Sequence, residues 1–182
     1  MILIIGLDNK GKEFIDTPHN IGEKIVSSFI ENKQFNSLKE NKKLNALISQ
    51  NNGIILAIPQ CFMNESGRIV KKIIDYFDIS LDDLLIVHDD TDIILGSFKL
   101  QKNRNAAGHK GIESIINYLH SKNFWRLRIG VRNKIEPDKK LKREKAKDLV
   151  LEKFSKEEKE KLLEIFPKIF ETLNLWIEKQ NH

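Results

Sequence analysis

Apolar residues along the chain fall into short unbroken runs that alternate with stripes spaced three and four apart. Residues 2–5 are apolar without alternation and end at Gly6, the pattern of a strand covered on both faces. Residues 44–49 and 54–58 predict two more strands. Asn51-Asn52-Gly53 between them are residue types that accept the positive φ of a tight hairpin. The run 84–87 predicts a buried strand that stops at His88-Asp89-Asp90, 97–100 a short edge strand, and 127–131 a last strand. Ile21, Ile25 and Phe29, with Val26 and Ile30, make one helical stripe; Thr17 is placed as its N-cap with Pro18 at the first helical position. Ile69, Val70, Ile73, Ile74 and Phe77 make a second stripe, and Ile112, Ile115, Ile116 and Leu119 a third. Ser155 with Glu158 spells a capping box for a C-terminal helix over about 155–180, with Leu162, Phe166, Ile169, Phe170, Leu173, Trp176 and Ile177 facing inward. Pro167 predicts a kink or a split there. The stretches 101–108 and 134–147 read as polar loops. There is no internal repeat. Alternating strands and helices imply an α/β fold: a single domain over 1–182 with a mixed, mostly parallel twisted sheet flanked by helices.

Composition narrows the class. A chain of 182 residues is one ordinary domain, able to bury roughly 70 % of the surface its unfolded form exposes. Hydrophobic residues at 40 % argue against a disordered chain. One cysteine, Cys61, excludes an internal disulfide framework and a multi-cysteine zinc site, and reads as a small packed hydrophobe. No apolar run reaches the roughly 20 residues of a membrane helix, and the apolar start lacks the basic flank of a signal peptide. A soluble, cytoplasmic protein is expected. The net charge of +5 points only weakly to nucleic acid, although 134–147 concentrates seven basic against three acidic residues.

Ligands of open α/β sheets collect outside the carboxyl ends of strands. Asp8 and Asn9, Asn64, and Asp89 all fall at such ends, and His19 at the start of the first helix can face the same rim. Three chemistries are compatible. Gly6, Gly11 and Lys12 have phosphate-loop spacing, but Glu13 stands where a metal-binding Ser or Thr belongs and would repel the phosphates. His19 beside Asp89 can serve as a general base, with the carboxylate restoring the basicity that a helix start removes; a histidine there can equally be a cap or a solvated residue. No Gly-x-Ser-x-Gly elbow offers an acyl-serine route, so water is the simpler nucleophile. His88, Asp89, Asp90 and Asp92, with His19 and His109, could bind metal, but alternation along a strand prevents all from converging, and acidic turn residues explain them as well.

The motifs carry further information. Gly6-Leu7-Asp8-Asn9-Lys10-Gly11 with Thr17-Pro18-His19-Asn20-Ile21-Gly22, then Phe62-Met63-Asn64-Glu65-Ser66-Gly67, His88-Asp89-Asp90-Thr91-Asp92, Gly108-His109-Lys110-Gly111 and Arg126-Leu127-Arg128-Ile129-Gly130 resemble, in order, the signatures of bacterial peptidyl-tRNA hydrolase. The resemblance covers residues 4–130 and continues at Val150, Leu151, Lys153 and Phe154. It implies a metal-independent esterase, without cofactor, that splits peptide from the 3′-terminal ribose of tRNA and acts as a monomer. It implies His19 as the base that activates water and Asp89 as the group that orients it. Asn9, Asn20 and Asn64 then hold substrate and water, Met63 lines the cleft, and Phe14 sits where the family usually has Tyr. His109 and Lys110 meet the acceptor end, and Lys99 with Arg128 grips the 5′-phosphate. Amide and phosphate contacts read neither peptide side chains nor bases, which suits a substrate of arbitrary sequence.

The chain departs from the family pattern at Lys110 (family Asn), Lys10 (family Pro) and Pro18 (family Arg). Its 101–107 segment is also about two residues longer than usual. A nucleotide hydrolase and an RNA-binding relic that has lost catalysis through Lys110 are the competing expectations.

Overall fold

A computed structural model describes residues 1–132 and 150–180. The loop expected at 134–147 lies outside the described residues. Seven strands form one sheet: β1 (Ile2–Gly6), β2 (Lys39–Asn41), β3 (Ala46–Asn51), β4 (Ile54–Pro59), β5 (Leu84–Ile94), β6 (Phe98–Lys102) and β7 (Trp125–Arg132), in the order β2-β3-β4-β1-β5-β7-β6. The centre, β4-β1-β5-β7, is parallel; β2, β3 and β6 add antiparallel edges. Helices α1 (Ile21–Asn32), α2 (Ser66–Phe77), α3 (Lys110–Leu119) and α4 (Lys156–Gln180) cover the two faces. This is the single α/β domain expected from the alternation.

The two faces hold two apolar cores. Ile2, Ile4, Leu85, Val87, Leu127 and Ile129 pack with α1 and α4; Leu3, Ile5, Leu84 and Ile86 pack with α2 and α3. Unbroken apolar runs mark the parallel strands because both faces are covered. The chain leaves β1 toward β4 on one side and returns to β5 on the other, so the carboxyl end of β1 is the switch point where the sheet opens a crevice. Among the described residues, no helix is long and apolar enough to cross a membrane.

Several local expectations need correction. The strand starting at Leu84 does not stop at His88: β5 continues to Ile94, because β7 keeps pairing with it through His88, Asp89 and Asp90. Asp90 accepts from Arg128 of β7, and Asp89 meets histidines from the turn before α1 and the start of α3, so the strand tolerates them. The strand placed at 44–49 spans Ala46–Asn51 instead, since Asn45 turns at φ 53°, and polar β2 carried no apolar signal. Phe98–Lys102 takes β6 into the segment expected as a loop. Thr17 does not cap α1. Its hydroxyl donates to the Phe14 carbonyl (2.8 Å), and a three-residue 3-10 turn, Pro18–Asn20, precedes the helix. The hairpin turn does take positive φ at Asn52 and Gly53, and Ser155 and Glu158 do exchange both capping-box bonds. Helix α4 is not split at Pro167; the proline lies inside one continuous helix.

Candidate active site

The site is assembled where three strand ends meet two helix starts. Gly22 makes a close approach: a Cβ there would lie 2.3 Å from the Val87 carbonyl oxygen, so only glycine lets α1 sit against β5. That contact brings the Pro18–Asn20 turn, and with it His19, over Asp89. Nδ1–H of His19 donates to Asp89 Oδ1 at 2.8 Å. Nε2–H of His109, at the start of α3, donates to the same oxygen at 2.9 Å. The two rings are 5.1 Å apart, and the buried His88 ring meets His109 edge-on at 4.8 Å. His19 Nε2 has no hydrogen-bond partner among the described residues.

Electrostatics follow from this packing. Burial alone would raise the Asp89 carboxyl, but His19 and His109 facing it reverse the balance and hold it well below the ordinary carboxylate value. Burial works to lower the His19 imidazole, and the Asp89 carboxylate outweighs it, leaving His19 above its ordinary value. His88 is pushed well down by burial and by His109, and donates Nδ1–H to the Asp89 carbonyl. An ionised acceptor, a basic ring with one free nitrogen and a neutral supporting ring therefore share one pocket wall. Such a group can take a proton from a bound water and return it.

A second cluster lies beside them. Asn9 is buried at the end of β1; its Oδ1 accepts from the Met63 N–H at 2.7 Å, which leaves its amide NH2 for a ligand. Asn20 spends its carboxamide on the Asn9 backbone, accepting from Asn9 N–H (2.8 Å) and donating to Asn9 carbonyl oxygen (3.1 Å). Met63 is buried beneath the α3 start, Asn64 next to it is exposed, and Phe14 is half-buried on the loop before His19. Lys110 is exposed and paired with Glu113 at 2.9 Å. Lys99 and Arg128 are direct cross-strand partners, yet the Arg128 guanidinium is buried and donates from Nε to Asp90 Oδ2 at 2.7 Å, whereas Lys99 is exposed.

The expectation that the His and Asp groups cannot converge holds only in part. His19, Asp89 and His109 bring three potential metal-ligand atoms within 4.8 Å of one another; His88, Asp90 and Asp92 do not join them. Sequence reading also missed that His109 touches Asp89 and that the His19 N–H donates to the Val150 carbonyl (3.3 Å) from the segment before α4. Neither contact has a local signal. Histidine is not a preferred cap residue, and the second contact joins residues 131 positions apart.

Comparison with known proteins places the chain in a family. The family model for peptidyl-tRNA hydrolase matches residues 3–182. A peptidyl-tRNA hydrolase of Mycoplasma mycoides is 41 % identical over 176 residues, covering 96 % of this chain and 91 % of its own. One of Ligilactobacillus salivarius is 35 % identical over 183 residues, covering 100 % and 95 %. The crystal structure of peptidyl-tRNA hydrolase from Acinetobacter baumannii superposes with a TM-score of 0.88 at 28 % identity, over 99 % of this chain and 90 % of that one. The chain belongs to the peptidyl-tRNA hydrolase family, and it is a hydrolase by that membership.

Proposed function

We propose that this protein hydrolyses the ester between a peptide and the 3′-terminal ribose of tRNA, with His19 as general base. The observation that carries the reading is the 2.8 Å contact from His19 Nδ1 to a buried, ionised Asp89, with Nε2 left free. Nε2 removes a proton from water as the water oxygen attacks the ester carbonyl. The tetrahedral intermediate then expels the ribose oxygen, which takes the proton back from His19. The peptide leaves as a carboxylate and the tRNA with its terminal hydroxyl restored. Asp89 fixes the tautomer and steadies the charge that His19 gains. The Asn9 amide NH2 is aimed at the peptide backbone or the carbonyl oxygen, where developing charge needs a donor. Asn20 supports Asn9, Asn64 and Met63 border the water and peptide, and Phe14, His109 and Lys110 border the 3′ end. On the far strands Lys99 contacts the 5′-phosphate, and Arg128, tied to Asp90, sets the strand that carries it. All these groups come from one chain, so a monomer suffices, and the substrate belongs with translation in the cytoplasm.

The test compares wild type with His19→Ala on an N-blocked aminoacyl-tRNA in EDTA. The variant is expected to bind with near-unchanged affinity and to lose about 10²–10⁴-fold in kcat, the usual contribution of a positioned base. Equal cleavage by both proteins would overturn the mechanism. Binding without cleavage by either would favour the RNA-binding relic.

A further inference from the structure

We propose that His109 is a positioning residue whose ring, by capping α3, fixes its own proton on Nε2 and thereby dictates which nitrogen of His19 is free to act. The inference rests on the reading of His19 as the base. His109 Nδ1 accepts from two backbone N–H groups, those of Gly111 (3.1 Å) and Ile112 (3.3 Å). These are orphan donors of a helix start, and helix-start donors need an acceptor. A nitrogen that accepts from them carries no proton, so the neutral ring must carry its proton on Nε2. An imidazolium would direct an N–H at two other N–H groups and forfeit the cap.

From Nε2 the constraint passes outward. The Nε2–H group has one partner, Asp89 Oδ1, and that carboxyl, faced by two imidazoles at hydrogen-bond distance, is held in its ionised form. His19 must then offer Nδ1–H to Asp89, which leaves Nε2 as its lone pair. The peptide backbone of α3 thus sets the tautomer of His109, and His109 with Asp89 sets that of His19. The packing holds the ring in place for this. A Cβ at residue 111 would lie 3.2 Å from His109 Cε1 and 2.4 Å from Met63 Sδ, so glycine there lets the ring fold over the helix end. His88 closes the other side edge-on, and its own proton is committed to the Asp89 carbonyl. The same lock works against a metal ion, because a neutral His109 bound to metal through Nε2 would carry its proton on Nδ1, among the cap donors.

The experiment has a wild-type arm and a variant arm. Imidazole ¹⁵N spectra of the wild-type protein are expected to show the neutral His109 ring as the Nε2–H tautomer. His109→Asn keeps a strong N-cap acceptor but is too short to hold both the helix start and Asp89. It is expected to keep its thermal midpoint, lose kcat and shift the acid limb of kcat/KM to higher pH. The shift arises because Asp89 then spends its whole charge on His19. The titratable groups around Asp89 are His19 from the turn before α1, His88 on β5 and His109, with Arg126 of β7 beyond His88. A neutral His109 ring with its proton on Nδ1 would overturn the proposal, as would an Asn variant whose defect is a raised KM with the acid limb unmoved. If His19→Ala stays active while His109 shows the expected tautomer, the base assignment fails and the lock stands.

Discussion

Two ionisable residues at the carboxyl end of the sheet behave unlike their free counterparts. Burial, with Glu23 close by, raises the Asp8 carboxyl to about 7 from 3.8, and its Oδ1 has no hydrogen-bond partner. The folded state therefore binds more protons than the unfolded one across that window. The stability that Asp8 contributes is full below its ordinary value and is lost as pH rises through about 7. Asp8→Asn keeps the neutral shape. Its stability advantage over wild type, followed as thermal midpoints, should grow from pH 4 to pH 8, toward an upper limit in free energy on the order of 4 kcal/mol. A gain that is the same at both pH values would remove Asp8 from the account. With His19 as the proposed base the sign runs the other way in activity, because the neutral ring is then the working form. Its value lies above 6.5, so kcat/KM should fall with acid through a midpoint above 6.5, and Asp89→Asn should move the residual activity's midpoint below it. A wild-type midpoint at or under 6.5 would contradict the Asp89 contact.

Elements show where the amino-acid pattern was enough. The parallel strands and all four helices were legible because both kinds of burial leave an unbroken or three-four apolar signature. The tight hairpin and the capping box were legible because their residue types have few other uses. Polar β2 and the second half of β5 were not, since their pairing depends on a neighbouring strand and not on their own residues. The turn before α1 was misread for a similar reason: the Thr17 hydroxyl is drawn back to Phe14 instead of forward to the helix. Helix α4 carries its own test. Pro167 is exposed inside it, so it contributes no core contact and removes a backbone donor. Pro167→Ala should stabilise the protein by about 1–3 kcal/mol, read as a higher midpoint in urea with unchanged slope. A loss of stability would mean that α4 needs proline at this position to lie on α1.

At the scale of the whole molecule, the candidate site is a product of topology. The motifs named His19, Asn9, Asn64 and Asp89 as neighbours in function, and the switch of strand order at β1 is what makes His19, Asn9 and Asp89 neighbours in space. The alliance of His109 with Asp89 escaped the sequence reading because it depends on how α3 begins above the sheet. The closing segment escaped it too. Asp16 holds Lys24 of α1 at 3.2 Å and Lys159 of α4 at 2.7 Å, its carbonyl accepts from the Phe154 N–H, and Val150 reaches the His19 backbone. The turn bearing His19 is thus buckled shut by residues made more than 130 positions later. During synthesis the amino-terminal fifth of the chain emerges first, yet beyond its Lys24 and Asp89 contacts the turn lacks its closing clasp until residues 150–159 follow. The protein must therefore wait for nearly its whole length before the centre at its beginning is finished, and a copy cut short ahead of Val150 carries every motif of the site without the fastening that holds His19 in place.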